Sequence, residues 1–221
     1  MSTAATPKGE RRRQALVDAA ADLLVEGGFD AVRHRSVATR ADLPLASTTY
    51  YFESLDDLIA AAVDRIGSRE LDTMRGQVTR LSHRTRGDEA TAELLVDLLV
   101  GPYFDHEDHE RLVARLEWLV ASARRDELQE VQGRLRSQLG DIVAEALQRS
   151  DRDARGRLRK LLAIVDGAVM SALSDHATDV RGFTRSVLVD VIGLLAPENA
   201  PLDNGRPRGL TVVPEVDRRS P

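Results

Sequence analysis

The distribution of proline constrains the fold of this chain more than any other feature of the sequence. Between residues 9 and 196 only Pro44 and Pro102 occur, whereas five of the eight prolines fall within the last 25 residues. Because proline breaks helices, and because apolar residues recur here at helical spacing with almost no strict alternation, the sequence predicts an all-α body. The proline-rich segment 197–221 has too little apolar surface to offset the entropy of ordering, so we expect a disordered tail. Residues 1–8 are expected to form a flexible arm.

The helical pattern divides into nine segments, which are separated by glycine, proline and polar turns. Gly27-Gly28 predicts the end of the first helix, and Ser54-Leu55-Asp56-Asp57 predicts a capping box at the start of a long fourth helix. The other predicted helices cover 34–41, 45–51, 89–100, 105–124, 127–149, 152–177 and 180–196. The first three helices predict a head over 9–52, and the remaining six predict a second domain over 53–196.

Composition excludes several classes of protein. The chain has no cysteine, so disulfide frameworks and thiolate chemistry are excluded, and its net charge of −5 excludes a uniformly basic surface. The longest apolar run, 58–63, is far shorter than the roughly 18 residues of a membrane span. No Ser-His-Asp order, glycine-rich phosphate loop or paired acids stand out. We therefore expect a cytoplasmic protein that is not an enzyme, has no cofactor and does not enter a membrane.

Two short helices joined by a tight turn, after one longer helix, are typical of a helix-turn-helix. The turn is predicted over 41–44, and hydroxyl groups on the exposed face of the following helix could bond phosphates or base edges. Basic residues are expected to contact the DNA backbone, with Arg11–Arg13 in a mobile arm. The predicted DNA-binding residues are Arg11, Arg12, Arg13, Arg33, Arg35, Arg40, Leu45, Ala46, Ser47, Thr48, Tyr50 and Tyr51.

The segment 12–66, and above all GGFDAVRHRSVATRADLPLASTTYYFESLDDLI, resembles the N-terminal DNA-binding region of the tetracycline-repressor (TetR) family. The resemblance implies a homodimeric repressor that binds a palindromic double-stranded operator and is released when a small-molecule effector enters the C-terminal domain. Four positions depart from the family pattern. Asp42 replaces a common turn glycine, and Leu55 replaces a lysine that normally meets phosphate. Pro44 replaces a serine that often caps the recognition helix, and Thr49 replaces a tyrosine. These departures leave open a helical small-molecule binding protein with impaired or absent DNA binding.

The eighth predicted helix is apolar on all sides between residues 161 and 173, except at Asp166 and Ser171. Such a helix is expected to be buried on both sides, against an internal cavity and against a partner subunit, although an ordinary core helix would show the same pattern. The predicted dimer interface consists of Ala163, Gly167, Ser171, Val187, Val191 and Leu194. The predicted pocket for a largely apolar effector consists of Leu116, Glu117, Trp118, Asp166 and Met170.

His106, His109 and Glu110 have a spacing that could place zinc ligands on one face of a helix. An acidic, solvated first helical turn explains the same residues, since carboxylates are favourable at a helix N-terminus. Two histidines without a third ligand occur easily by chance, and we therefore predict no metal site.

Overall fold

The computed structural model describes residues 6–101, 106–175 and 179–199, without the side chains of residues 106–108. Within these ranges the chain forms nine α-helices and no strand, apart from one isolated antiparallel bridge between Arg152 and Glu198. The predicted all-α fold is thereby confirmed. The helices are α1 (Pro7–Ala31), α2 (His34–Arg40), α3 (Ala46–Tyr51), α4 (Leu55–Thr79), α5 (Asp88–Leu99), α6 (His106–Ala121), α7 (Asp126–Gln148), α8 (Leu158–Ser174) and α9 (Val180–Leu195).

Helix α1 begins earlier than predicted and is broken near its C-terminal end by two glycines. The Thr6 hydroxyl accepts a hydrogen bond from the Gly9 amide, and Pro7 occupies the first turn, where a missing amide proton costs nothing. The predicted arm over 1–8 is therefore wrong for its last two residues, and residues 1–5 lie outside the described ranges. Gly27 (φ −151°, ψ 20°) and Gly28 (φ 63°, ψ −161°) both leave the helical conformation, so the helix breaks where the sequence predicted its end, and one further helical turn follows up to Ala31.

Helix α4 joins the head to the rest of the chain. The Ser54 hydroxyl accepts a hydrogen bond from the Asp57 amide at 2.9 Å, and the Asp57 carboxylate accepts one from the Glu53 amide at 3.3 Å. The predicted cap is thus confirmed. Along its 25 residues α4 packs on α1 in the head and on α7 in the second domain, so one continuous helix contacts both.

In the second domain, α9 packs on both α8 and α5, and α6 lies between α1, α7 and α8. Helix α8 begins at Leu158, six residues later than predicted, because Asp151 and Gly156 take left-handed backbone conformations. Arg152 lies in the connection before α8 and is completely buried. Its guanidinium donates to the carbonyl oxygens of Arg86 and Ala196 and to the Glu198 carboxylate.

Within the protomer one side of α8 is buried and the other is exposed, so the expected burial against a partner subunit stays a prediction. Leu161 and Val165 belong to the core, whereas Ala163, Gly167 and Met170 are exposed. In the part of the chain that the structure describes, no helix combines the length and apolar character that crossing a membrane requires.

Candidate DNA interface and effector cavity

The turn between α2 and α3 holds Asp42 in a left-handed conformation with a φ of 52°. Aspartate tolerates this conformation better than most residues do, so it replaces glycine here without breaking the turn. The Leu43 amide donates to the Ala38 carbonyl at 3.0 Å, which closes the turn onto α2. Leu45 is already helical, and α3 begins at Ala46.

The exposed face of α3 differs from the predicted one, because Thr48 is buried and Thr49 is exposed. Thr48 is wrong as an exposed residue, because it lies on the buried side of the helix and its hydroxyl donates to the Leu45 carbonyl at 2.8 Å. Tyr50 is 80% exposed, and Leu45 and Ala46 share its face. Thr49, which the sequence prediction missed, is exposed there as well. Helical spacing alone could have identified it, because it lies four residues after Leu45.

Ser47 and Tyr51 are half-buried at the edge of this face. The Tyr51 ring packs edge-on against Tyr50, with 4.9 Å between the ring centroids. The aromatic pair limits the rotation of Tyr50 and presents its hydroxyl to solvent.

The predicted basic residues do not form a mobile arm. Arg11, Arg12 and Arg13 lie in the first two turns of α1, where Arg11 donates to the Pro7 carbonyl. The guanidinium of Arg13 lies 5.0 Å from the centroid of the Phe52 ring, so it packs beside the start of α4. Their positions in a folded helix fix these charges relative to α3.

Arg33 and Arg35 are exposed at the start of α2, but Arg40 at its end is paired with Glu26. Two hydrogen bonds of 2.9 and 2.7 Å join the Arg40 guanidinium to the Glu26 carboxylate. These bonds lower the pKa of Glu26 and raise the pKa of Arg40. In this structure Arg40 is therefore paired with Glu26, whereas Arg33 and Arg35 are exposed.

Arg125, at the start of α7, connects the second domain to the head. Its guanidinium lies 4.7 Å from the centroid of the Phe29 ring and 3.3 Å from a carboxylate oxygen of Asp56. Phe29 follows the kink in α1, and Asp56 lies in the first turn of α4. One side chain of the second domain therefore contacts both the C-terminal end of α1 and the first turn of α4.

A small cavity lies among α4, α6, α7 and α8, with about 60 Å³ open to the centres of water molecules. Three of the five residues of the predicted effector pocket, Leu116, Trp118 and Asp166, line this cavity. The prediction missed three charged residues that also line the cavity, Glu70, Arg115 and Arg136. The cavity is lined by Gly67, Glu70, Leu71, Met74, Arg115, Leu116, Trp118, Leu119, Gln132, Leu135, Arg136, Leu139 and Asp166.

The charged groups of the cavity form an unequal network. One Asp166 oxygen lies 2.6 Å from the Arg136 guanidinium, and the other lies 3.8 Å from Arg115. Burial raises the pKa of the Glu70 carboxyl group and lowers the pKa of Arg115. The cavity is therefore less apolar than the sequence predicted, and it contains charges that burial destabilises.

Glu117 and Met170 do not line this cavity. Together with Leu116 they line a separate open groove of about 700 Å³. Glu117 is exposed and lies about 100° around α6 from Trp118, its neighbour in the chain. Gly28 and Phe29 form the head side of that groove. The groove therefore borders the junction at which Arg125 contacts the head.

The predicted interface residues lie on α8 and α9, which pack against each other, and none of them is fully buried within the protomer. Ala163, Gly167 and Ser171 are all exposed, and a side-chain carbon added to Gly167 would meet no described atom within 4 Å. On α9, Leu194 is 73% exposed, and Val187 and Val191 are half-buried. We call this surface, formed by the six predicted interface residues, the α8–α9 face.

The candidate metal ligands fall partly outside the described side chains, because His106 is not among them. Among the side chains that are described, no group of three or more histidine, aspartate or glutamate residues could hold a metal ion.

The chain is similar to known transcriptional regulators in both of its parts. Residues 86–194 match the family model described as tetracyclin repressor-like, C-terminal domain. An uncharacterised HTH-type transcriptional regulator in the dhlA 5′ region of Xanthobacter autotrophicus is 30% identical over 154 residues, which are 66% of this chain and 73% of that protein.

Solved structures show the same similarity. The multidrug binding protein EbrR in complex with proflavin has a TM-score of 0.62 and 28% identity, over 82% of this chain and 99% of that one. A TetR transcription regulator from Haloarcula marismortui has a TM-score of 0.64 and 22% identity, over 85% of this chain and 99% of that one.

Proposed function

The chain belongs to the TetR family of transcriptional regulators, and from that premise we propose that it is a ligand-responsive repressor. In this proposal a homodimer binds a palindromic operator and leaves it when a small molecule occupies the cavity. The observation that carries the proposal is α4, because this single helix caps the helix-turn-helix head and also lines the cavity with Glu70 and Leu71.

The exposed face of α3 is proposed to enter the major groove. Tyr50 and Thr49 offer hydroxyl groups to phosphates or base edges, and Leu45 and Ala46 offer apolar contact to thymine methyl groups. Arg33 and Arg35 are proposed to contact phosphates beside the groove. The alternative is a helical small-molecule binding protein with impaired or absent DNA binding. Asp42 fits the turn, so this alternative depends on the negative charge of Asp42 and on Leu55.

The α8–α9 face is proposed to form the dimer interface. Small residues at 163, 167 and 171 allow a second helix to approach closely, and the largely exposed Leu194 would gain burial. Together α8 and α9 of two protomers would form a four-helix bundle.

Release from DNA requires that the effector bind the arrangement of the heads that cannot bind DNA more tightly than the arrangement that can. To shift the dimer almost completely from the second arrangement to the first, the two affinities must differ by about 10⁴-fold, or ~5.5 kcal/mol. Helix α4 gives a direct route for this preference. The contacts of Arg125 with Phe29 and Asp56 give a second route, because they hold the head against α7.

Selection of bound sequences from random DNA tests the proposal. A two-fold dimer with its recognition helices in successive major grooves should select an inverted repeat, with half-site centres about 34–36 Å apart or a multiple of that distance. The selected operator is then titrated with and without cavity ligands. Selection of asymmetric sites, or a cavity ligand that leaves operator affinity unchanged, would contradict the proposal.

A further inference from the structure

Two hydrogen-bond donors of α6 have no acceptor within the described part of the chain, and both belong to residues that line the cavity. Trp118 is only 3% exposed, and its indole Nε1 is buried without a partner. The Nε of Arg115 is also buried and has no hydrogen-bond partner. Residues three apart on a helix are neighbours on its surface, so Arg115 and Trp118 lie on the same wall of the cavity. A buried donor without an acceptor is costly, and a ligand that supplies an acceptor removes this cost.

The charge of Arg115 is also incompletely balanced. Its Nη1 donates to the Leu99 carbonyl at 3.1 Å, and its ion pair with Asp166 is long at 3.8 Å. Asp166 lies much closer to Arg136, at 2.6 Å. A second carboxylate at the Nε side of Arg115 would therefore meet a guanidinium that lacks a close counter-ion.

We propose that the effector is an organic acid with an apolar body, whose carboxylate accepts hydrogen bonds from Trp118 Nε1 and Arg115 Nε. This inference rests on the proposed function, because it assigns the effector to the same cavity. The apolar body would pack against the leucine and methionine side chains that α4 and α7 contribute to the wall, including Leu71, Met74 and Leu135. The acid class differs from that of proflavin, the cationic dye bound in the EbrR structure.

Two carboxylates that line the cavity, Glu70 and Asp166, would repel such a ligand. Arg136 lies 2.6 Å from Asp166 and offsets its charge, whereas Arg111 and Arg115 are the charged groups that act on Glu70. Burial raises the pKa of Glu70, so its carboxyl group accepts a proton more readily than an exposed glutamate does. Protonation of Glu70 removes its part of the repulsion. The affinity for an anion that stays ionised, such as an aryl sulfonate, should therefore rise as the pH falls through that pKa.

The test uses a ligand series whose members differ only in their charged group. Phenyl- and alkyl-carboxylates of increasing length are each compared with the amine and the alcohol of the same carbon skeleton, and 4-phenylbutyrate, 4-phenylbutylamine and 4-phenylbutanol form one such set. Trp118 is the only tryptophan of the chain, so its fluorescence reports on the cavity directly. We expect at least one acid to bind about tenfold or more tightly than its amine and alcohol. Equal or weaker binding by every acid overturns the proposal.

Two variants locate the carboxylate, and a third is the control. Trp118→Phe keeps an aromatic ring but removes the N–H, and Arg115→Gln removes the positive charge. Each should weaken acid binding about tenfold, measured by calorimetry, and leave alcohol binding within twofold. Arg80→Gln makes the same chemical change at an exposed arginine and should have no effect. Acid binding that neither Trp118→Phe nor Arg115→Gln weakens would overturn the assignment.

Operator titration separates this inference from the proposed function. An acid that binds through Trp118 and Arg115 but leaves operator affinity unchanged supports the ligand class and refutes effector-controlled release. An amine that binds in the cavity and releases the operator, while no acid does so, refutes the ligand class and supports the release.

Discussion

The substitution Gly167→Leu separates the stability of the protomer from the stability of the proposed dimer. Gly167 lies within α8, and an added side-chain carbon would meet nothing within 4 Å. Within one protomer the leucine should therefore cause no clash. Replacement of a helical glycine by leucine should instead stabilise the helix by ~0.5–1 kcal/mol. For a chain of this size that gain corresponds to a rise of roughly 1–4 °C in the midpoint of thermal unfolding.

In a dimer formed through the α8–α9 face, the same leucine would lie where two helices approach closely. Overpacking of a well-packed site costs about 1–3 kcal/mol, and a two-fold interface contains the site twice. The dimer should therefore lose at least ~2 kcal/mol, and its dissociation constant should rise about 30-fold or more.

Gly133→Leu supplies the matched control. Gly133 also lies within a helix, is exposed and has no described atom near an added side-chain carbon, but it belongs to α7. Sedimentation equilibrium over a range of concentrations measures the dimer, and thermal unfolding at high dilution measures the protomer. If Gly167→Leu and Gly133→Leu dimerise equally well, the α8–α9 face is not the interface.

Three further predictions concern the DNA interface, the junction of the domains and the pH dependence of stability. Tyr50→Ala should weaken operator binding about 1–3 kcal/mol more than it weakens binding to random DNA. Thr48→Ala should instead lower the free energy of unfolding by ~1 kcal/mol and leave DNA specificity unchanged. If Tyr50→Ala weakens binding to both DNAs equally in a band-shift assay, Tyr50 does not contact the bases. A cavity ligand should weaken operator binding by a certain factor, and Arg125→Ala should change that factor about fivefold. Arg124→Ala, at the exposed neighbouring arginine, should leave the factor unchanged. If the ligand weakens operator binding equally in the two variants, Arg125 does not couple the cavity to the head. Because burial raises the pKa of Glu70 above its ordinary value of 4.5, its contribution to stability is complete below 4.5 and is lost as the pH rises through the higher folded pKa. Glu70→Gln should therefore flatten the fall of the unfolding temperature across that range, and an unchanged pH profile would contradict this.

The helices were predictable because their signals are local. Proline positions, apolar spacing and the cap at Ser54 act within a few residues, and they correctly indicated an all-α chain. The face of α3 was harder to predict, since a shift of one residue in a six-residue helix rotates every side chain by about 100°. That sensitivity explains why Thr48 was expected to be exposed although it is buried.

The composition of the cavity could not be predicted from local patterns. Glu70, Arg115 and Arg136 lie on three different helices, and they meet only because α4 packs on α7 beside α6. Glu117 and Trp118 are adjacent in the chain but lie on different sides of α6. Both sides of α6 contact other parts of the protein, so amphipathic spacing did not indicate which side borders the cavity.

The buried position of Arg152 has a consequence for the order in which the chain folds during synthesis. Its guanidinium joins the Arg86 carbonyl, 66 positions earlier in the chain, to Ala196 and Glu198, which follow it by 44 and 46 positions. The hydrogen bonds of the Arg152 guanidinium therefore cannot all form until the end of α9 has left the ribosome. The helices of the head make contacts between near neighbours in sequence, which form faster than distant ones. We expect nascent chains to carry a folded helix-turn-helix while α8 still lacks its α9 partner, and chains arrested before residue 196 to be sensitive to proteases between α7 and α8.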